Sequence, residues 1–266
     1  MGLNIVASVS PVLTEVSLTA IALRNIPQVQ PGDDLVKIIQ NGLLASDLKL
    51  QQGDVLVVTS KIISKAEGRL VVLASIEPGA EAQRIAAETE KDPRLVELIL
   101  RESRSISRQA GSVLVTEHRL GFVSANAGID QSNVDHEIEQ VLLLPEDPDA
   151  TARFIHKQLH AMTGVKVGVI ISDSHGRPFR LGSVGVAIGV AGMPALLDLR
   201  GQTDMYGREL RISMQGYADM VASTAQLLSG EGAEGRPIVL LRGLNFPDQE
   251  GSARDLQRSP EQDLYR

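Results

Sequence analysis

Residues 165–189, VKVGVIISDSHGRPFRLGSVGVAIG, constrain this chain more than any other stretch. They open on a short apolar run rich in Val and Ile that turn-forming residues stop at once, which reads as a buried strand rather than a helix. At its end stand Ser172, Asp173 and Ser174, followed by His175, Gly176, Arg177, Pro178 and Arg180. A carboxylate and hydroxyls with guanidinium groups just beyond them suit a metal ion carrying phosphates. Asp offers a hard oxygen to the cation, and Arg offers a planar fork to phosphate or carboxylate oxygens. The plainer alternative is a turn started by Asp173 and Ser174, with arginines that only solvate it.

A chain of 266 residues can bury a large core in one or two domains. Aromatic residues make up only 3% and Trp is absent, so Val, Leu, Ile and Ala must build that core. The lack of cysteine excludes disulfides, thiolate metal sites and cysteine nucleophiles. A net charge of -7 argues against a broad nucleic-acid surface, and it means that a polyanionic substrate needs local cations. The start lacks the basic region of a secretory signal, and the uncharged stretch 181–197 is too short and glycine-rich to span a bilayer. The expectation is a soluble, cytoplasmic protein.

Along the chain, residues 3–24 read as an opening strand and a polar connection. Asp33 or Asp34 can cap a helix that buries Leu35, Ile38, Ile39 and Leu43. A strand at 55–58 delivers Thr59, Ser60 and Lys61, and another follows at 70–73. Residues 78–102 read as two helices broken near Asp92-Pro93, and the polar run 101–109 as a solvated connection. Short strands at 113–116 and 121–124 precede a loop at 126–134. The proline-bearing segment 142–149 is the best place for a boundary or crossing, after which Asp149 caps a helix to about Met162. A polar loop at 200–210, a helix at 213–228, a glycine loop at 230–235 and a strand at 238–241 lead to an exposed charged tail. Strands and helices are interleaved without regular βα alternation, so a mixed α+β fold is expected.

Several motifs fail on context. Gly230, Gly232 and Gly235 match the dinucleotide fingerprint by letters, but a helix precedes them and a strand follows, the reverse of what it needs. No GxxxxGK[ST] loop exists. His156 and His160 are one helical turn apart, without the glutamate that a zinc-protease helix carries. His175 adjoins Asp173 and Ser174, but sequence neighbours do not normally make a Ser-His-Asp triad. What remains is three polar clusters, 60–65, 130–133 and 173–174, with the glycine loop around Glu231 as a fourth. Each can be explained as turn residues at element ends. Together they hold what phosphoryl transfer needs: acidic metal ligands, lysines for phosphate charge and glycines that let backbone amides approach.

Nine blocks carry a resemblance: SKAEGR at 64–69, NAGIDQSNV at 126–134, DPD at 147–149, GVIISD at 168–173, GRPFR at 176–180, GVAIG at 185–189, DMYGREL at 204–210, LLSGEG at 227–232 and RGLN at 242–245. In this order the chain resembles the GTP-dependent coenzyme F-420:L-glutamate ligases over nearly its whole length. The resemblance implies an unusual α+β fold of two subdomains in a single ligase domain over 1–266, intertwined as a homodimer. It implies addition of L-glutamate to the lactyl carboxylate of coenzyme F-420-0 and then of γ-linked glutamates. GTP, two Mg²⁺ or Mn²⁺ ions per site and a K⁺ ion come with it; a membrane or nucleic-acid partner does not. By position, Asp130, Asp173 and Ser174 match divalent-metal ligands. Asn25, Ile26, Pro27, Ser60, Lys61, Lys65 and Asn133 match GTP contacts, as does the segment Leu227, Leu228, Ser229, Gly230, Glu231, Gly232, Ala233 and Glu234. The chain departs from the family at Ser60-Lys61, and at Met220, where a glutamate is usual. It also ends before the flavin-reductase domain that some bacterial relatives append could begin.

Chemistry supports the same route, because a carboxylate does not acylate an amine at neutral pH until its oxygen is made a leaving group. Transfer of the γ-phosphoryl of GTP achieves that. The expected catalytic residues are Asp173 and Lys65. The sharpest expectation is that Asp130, Asp173 and Glu231 converge on one metal and phosphate site, Glu231 being chosen on chemical grounds within the glycine loop. An amide ligase with another carboxylate acceptor, a metal-dependent phosphohydrolase and a non-catalytic GTP-binding module are the competing readings. The uncharged region 182–197 is the expected dimer surface.

Overall fold

In the computed structural model, which describes residues 16–132 and 139–263, the 165–189 stretch forms most of two long paired strands. The elements in chain order are β1 (Thr19–Ala22), α1 (Leu35–Ala45), β2 (Val55–Thr59), α2 (Ser60–Ala66), β3 (Leu70–Val72), α3 (Ala80–Thr89), α4 (Pro93–Arg101), β4 (Ser103–Ala110) and β5 (Val113–His118). They continue with β6 (Val123–Ala125), β7 (Gln140–Leu142), α5 (Pro148–Thr163), β8 (Gly168–Arg177), β9 (Arg180–Ala191), β10 (Leu197–Asp198), β11 (Met214–Gln215), α6 (Tyr217–Ser229) and β12 (Ile238–Arg242). The architecture is mixed α+β, with several separate sheets and no closed barrel among the described residues.

The main sheet runs β1-β12-β2-β8-β9, and only β2 and β8 are parallel. Its central strands are apolar through their buried stretches, Val55–Val58, Val169–Ile171 and Ile238–Leu241, because helices cover both faces. Leu56, Val58, Val169, Ile171 and Leu240 pack with Val36, Ile39, Ile155 and Leu159 of α1 and α5. The alternate residues Val55, Val57, Ile170, Val239 and Leu241 pack with Ala218, Val221, Ala222 and Ala225 of α6. This is the period of two of a strand, read out on two cores. The spacing of GVAIG has the same origin: a Cβ at Gly185 would stand 2.6 Å from the Ala222 carbonyl oxygen, so α6 lies against bare β9 backbone.

Between α2 and α5 the chain builds a smaller lobe. There α3 and α4 share a core with the β4-β5-β6 sheet through Ile85, Val96, Ile99, Leu114 and Leu143. Arg69 fastens this lobe: its Nε donates to the Leu144 carbonyl at 3.0 Å and its Nη2 to both oxygens of Glu102 at 3.0 Å. Arg119 donates to the same carboxylate at 2.9 Å. Burial alone would raise the Glu102 pKa, but the facing His118, Arg119 and Arg69 outweigh it and hold the carboxyl at about 2.

Several local expectations change. Residues 103–110, expected as a solvated connection, form the edge strand β4, exposed along almost its whole length. A strand with polar residues on both sides leaves no apolar alternation to read. The cap of α5 is Asp147, which accepts from the Ala150 amide at 2.9 Å. Asp149 instead lies buried in the first turn and accepts from the Val190 and Ala253 amides at 2.8 and 2.9 Å. The tail is correspondingly less exposed than expected: Ser252 donates to Asp149 at 2.6 Å, and Ala253 is buried. A short strand pair, β10–β11, takes up the start of the expected 213–228 helix. Much of the 182–197 region, expected as a dimer surface, is interior to the chain itself: Ile188, Val190, Met193 and Ala195 are all buried in its cores. Of the two expected cap candidates, Asp34 caps α1, and the break before Pro93 is present. The expected opening strand falls largely on 1–15, outside the described residues.

Candidate active site

A cleft of about 560 Å³ opens where the parallel strands β2 and β8 run out at their carboxyl ends. This is the usual place for a ligand at the edge of a parallel pair. Five separated segments line it: Ile26–Val29 ahead of α1, the start of α2, Gly128, Ile129, Asp130 and Ser132 of the small lobe, Ser172 to Ser174 of β8, and the glycine loop after α6.

The polar residues of β8 are not on a loop, as the sequence suggests, but within the strand, which continues to Arg177 by pairing with β9. Asp173 therefore takes the odd-numbered face of β8, and Ser174 takes the face of α6. The Asp173 carboxylate is gripped at both oxygens. Ser60 Oγ donates to Oδ1 at 2.9 Å, and His175 Nε2 stands 3.0 Å from Oδ2. Ser174 Oγ donates to Glu231 Oε1 at 2.6 Å, and Ser183 and Gln226 reach the same oxygen. The register shift opposite Ile171 and Ser172 places its extra residue, Ile188, on β9, so the alternation of β8 runs unbroken through Asp173 and Ser174.

Ser60, Lys61 and Lys65 are on α2 rather than in a turn. Lys61 and Lys65 are four residues apart, so they share one helix face. Lys61 Nζ pairs with Asp130 Oδ2 at 2.7 Å and donates to Ser132 Oγ at 2.9 Å. Burial pushes the Lys65 ammonium pKa down, repulsion from Lys61 adds to the fall, and Asp130 opposes it. Burial would raise the Asp130 pKa, but hydrogen bonds from Lys61 and the Ser132 amide carry it below its ordinary value. The Asp130 backbone is fixed by a two-way bridge to Leu142, with N–H···O distances of 2.9 and 2.8 Å. Just before it, Asn126, Ala127 and Gly128 take three successive left-handed conformations. At Gly128 a Cβ would stand 2.6 Å from Leu144 Cδ1, which explains the glycine in NAGID.

The expected nucleotide residues divide. Ile26, Pro27, Ser60, Lys61, Lys65, Ser229, Gly230, Glu231, Gly232 and Ala233 all line the cleft. Asn25 lines a neighbouring hollow with Arg24 and Arg236, and Arg236 belongs to both. Leu227 points to solvent, Leu228 packs on the α6 core, and Glu234 turns back to accept the Gly232 amide at 2.8 Å; none of the three lines the cleft. Asn133 lies outside the described residues. Arg177 and Arg180 sit at the β8–β9 tip and do not line the cleft either, nor does half-exposed Met220.

Asp130, Asp173 and Glu231 thus share one cleft, held by separate partners. Among the described residues, no group of three acidic or histidine side chains stands ready to hold a metal ion. The donor set fits a hard divalent cation nevertheless, because carboxylate and hydroxyl oxygens are what Mg²⁺ and Mn²⁺ take. Sequence reasoning missed Ser183, which meets Glu231 from β9, and Gln226, which meets it from the last turns of α6. It also missed that His175, two residues beyond Asp173 on one strand, shares its face.

Curated relatives align along most of the chain. A coenzyme F420:L-glutamate ligase of Methanopyrus kandleri is 48% identical over 90% of this chain and 94% of its own length. Those of Methanothermobacter thermautotrophicus and Archaeoglobus fulgidus are 43% and 42% identical, over 94% and 92% of this chain and 99% and 94% of their own. A family profile described as F420-0:Gamma-glutamyl ligase matches residues 24–243, the span from the lip of the cleft to the end of β12. The chain belongs to the F420-0:gamma-glutamyl ligase family.

Proposed function

We propose that this protein is a GTP-dependent ligase in coenzyme F-420 biosynthesis, joining the amine of L-glutamate to the lactyl carboxylate of coenzyme F-420-0 and then adding γ-linked glutamates. The observation that carries the reading is the single cleft in which Asp130, Asp173 and Glu231 meet Lys61, Lys65 and a glycine-rich loop. In the first step an acceptor carboxylate oxygen attacks the γ-phosphorus of GTP, giving an acyl phosphate and GDP. In the second the glutamate amine attacks the acyl carbon, loses a proton and expels phosphate.

Lys61 and Lys65 offset phosphate charge that an acidic chain would otherwise repel. The glycine loop lets backbone amides approach the nucleotide. Asp130, Asp173, Ser174 and Glu231 would hold two Mg²⁺ or Mn²⁺ ions, whose charge would neutralise the triphosphate, and a K⁺ ion would accompany them. Holding metal through Asp130 requires Lys61 to move from the carboxylate toward the phosphates. The side chains needed to hold, neutralise and align the reactants are those of the cleft.

The protein acts as a homodimer in this reading. The β8–β9 tip and the following loop leave Leu181, Met205 and Tyr206 98%, 98% and 96% exposed, an apolar set that a second copy would cover. No helix of the described residues is long and apolar enough to cross a membrane, consistent with small-molecule chemistry in solution.

The test is to incubate the protein with GTP, Mn²⁺, L-glutamate and coenzyme F-420-0 and to follow product mass. Successive glutamate additions, with phosphate release that needs both acceptor and glutamate, are expected. Phosphate release without an amine would make the protein a phosphohydrolase instead.

A further inference from the structure

We infer that His175 is a positioning residue for Asp173, and that Phe122 of the small lobe braces it, so that the small lobe sets the aim of a carboxylate carried by the main sheet. The inference rests on the proposed role of Asp173 as a metal ligand.

The side chains form a continuous row. His175 Nε2 is 3.0 Å from Asp173 Oδ2. A carboxylate only accepts, so the imidazole donates from Nε2. With Ser60 on Oδ1, the carboxylate cannot turn about its own axis without breaking a hydrogen bond. The His175 ring leans on Phe122, with centroids 5.0 Å apart and planes at 51°. Phe122 in turn lies flat on His118, at 5.1 Å and 3°. His118 is fully buried and fixed in one tautomer: Nδ1 accepts the Leu120 amide at 3.0 Å, and protonated Nε2 points at Glu102, 3.6 Å away.

The turn that presents Phe122 is held from two further directions. The His118 amide donates to the Phe122 carbonyl at 2.8 Å, closing the turn on itself. Gln257 of the tail donates to the Leu120 carbonyl at 2.9 Å and fills the space that a side chain at Gly121 would need. A ring held this firmly gives His175 a fixed wall. Groups that orient a ligating side chain usually change metal affinity about 10- to 100-fold when removed.

A histidine that merely fills space predicts something different, and the variants separate the two. Mn²⁺ binding in the presence of a non-hydrolysable GTP analogue is measured for wild type, His175→Ala, His175→Gln, Phe122→Ala, the His175→Ala/Phe122→Ala pair and Asp173→Asn, well below each unfolding midpoint. Expected are a loss of about tenfold or more for His175→Ala, with kcat falling more than the KM for glutamate rises. His175→Gln, whose amide nitrogen can stand where Nε2 stood, recovers most of it. Phe122→Ala gives a smaller loss that adds nothing to His175→Ala, because Phe122 acts only through the imidazole. Wild-type Mn²⁺ affinity in His175→Ala, alongside its loss in Asp173→Asn, would overturn the inference and leave the metal-ligand reading standing. Equal losses in His175→Gln and His175→Ala, or fully additive losses in the pair, would also overturn it. Unchanged affinity in Asp173→Asn would remove the metal-ligand reading itself, and this inference with it.

Discussion

Glu102 and Asp173 are two largely buried carboxylates with very different company. Glu102 has two guanidinium groups on it and a third positive-edged donor, His118, facing it; its charge is spent inside the small lobe. Asp173 has one hydroxyl and one imidazole, no guanidinium, and a side open to a cleft of about 560 Å³. The first arrangement saturates a charge and locks a fold. The second aims a carboxylate while keeping its charge available to a cation. Between these two acids, the difference is saturation by guanidinium groups in one and a face left open to the cleft in the other.

The comparison can be broken at four points. Asp173→Asn should lower ligation by more than about a hundredfold while the unfolding midpoint stays within a few degrees of wild type. A large fall in that midpoint would show Asp173 to be structural after all. Glu102→Ala should do the reverse, costing about 3–5 kcal/mol because Arg69 and Arg119 are left facing a void. Urea unfolding measures it, and a change under about 1 kcal/mol would mean that the Glu102 cluster is ornamental.

Acid sharpens the same contrast. The Glu102 pKa lies at about 2 against an ordinary 4.5, so its contribution to stability is complete above pH 4.5 and is lost as pH falls toward 2. The amount is about 3 kcal/mol. Glu102→Gln should flatten that limb of the stability profile; an unchanged acid limb would assign it to other groups. The smallest expected effect is at Lys65. Lys65→Met should weaken GTP binding about tenfold and leave the fold intact, since a half-buried ammonium beside Lys61 is held against repulsion rather than by it. Unchanged nucleotide affinity by calorimetry would remove Lys65 from the site.

What the sequence discloses follows the range of the interactions involved. The Asp34 cap, the break before Pro93 and the apolar start of β8 are visible because each depends on residues within one turn or one strand. β4 is hidden because its polar residues become a strand only through pairing with β5. The cleft was legible as a set of clusters whose shared chemistry suggested one site. Their distant partners were not: Ser183 meets Glu231, and Ser132 meets Lys61, across distances in sequence that no spacing encodes. The expectation for Asp173, which does line the cleft, also carried a wrong local picture. A loop was expected where a continuing strand sends Asp173 and Ser174 to opposite faces.

The order β1-β12-β2 has a consequence for how the protein is made. The main-sheet partner of β1 on its inner side is β12, which leaves the ribosome some two hundred residues later. The same late strand supplies the second neighbour of β2. Translation therefore exposes two early strands with unsatisfied edges, one of them entirely apolar in its buried part, for nearly the whole synthesis time. Sheet closure must wait for residue 242, and high contact order of this kind slows folding. In the nascent chain, the cleft lip that follows β1 and the glycine loop that precedes β12 come together in that one late event.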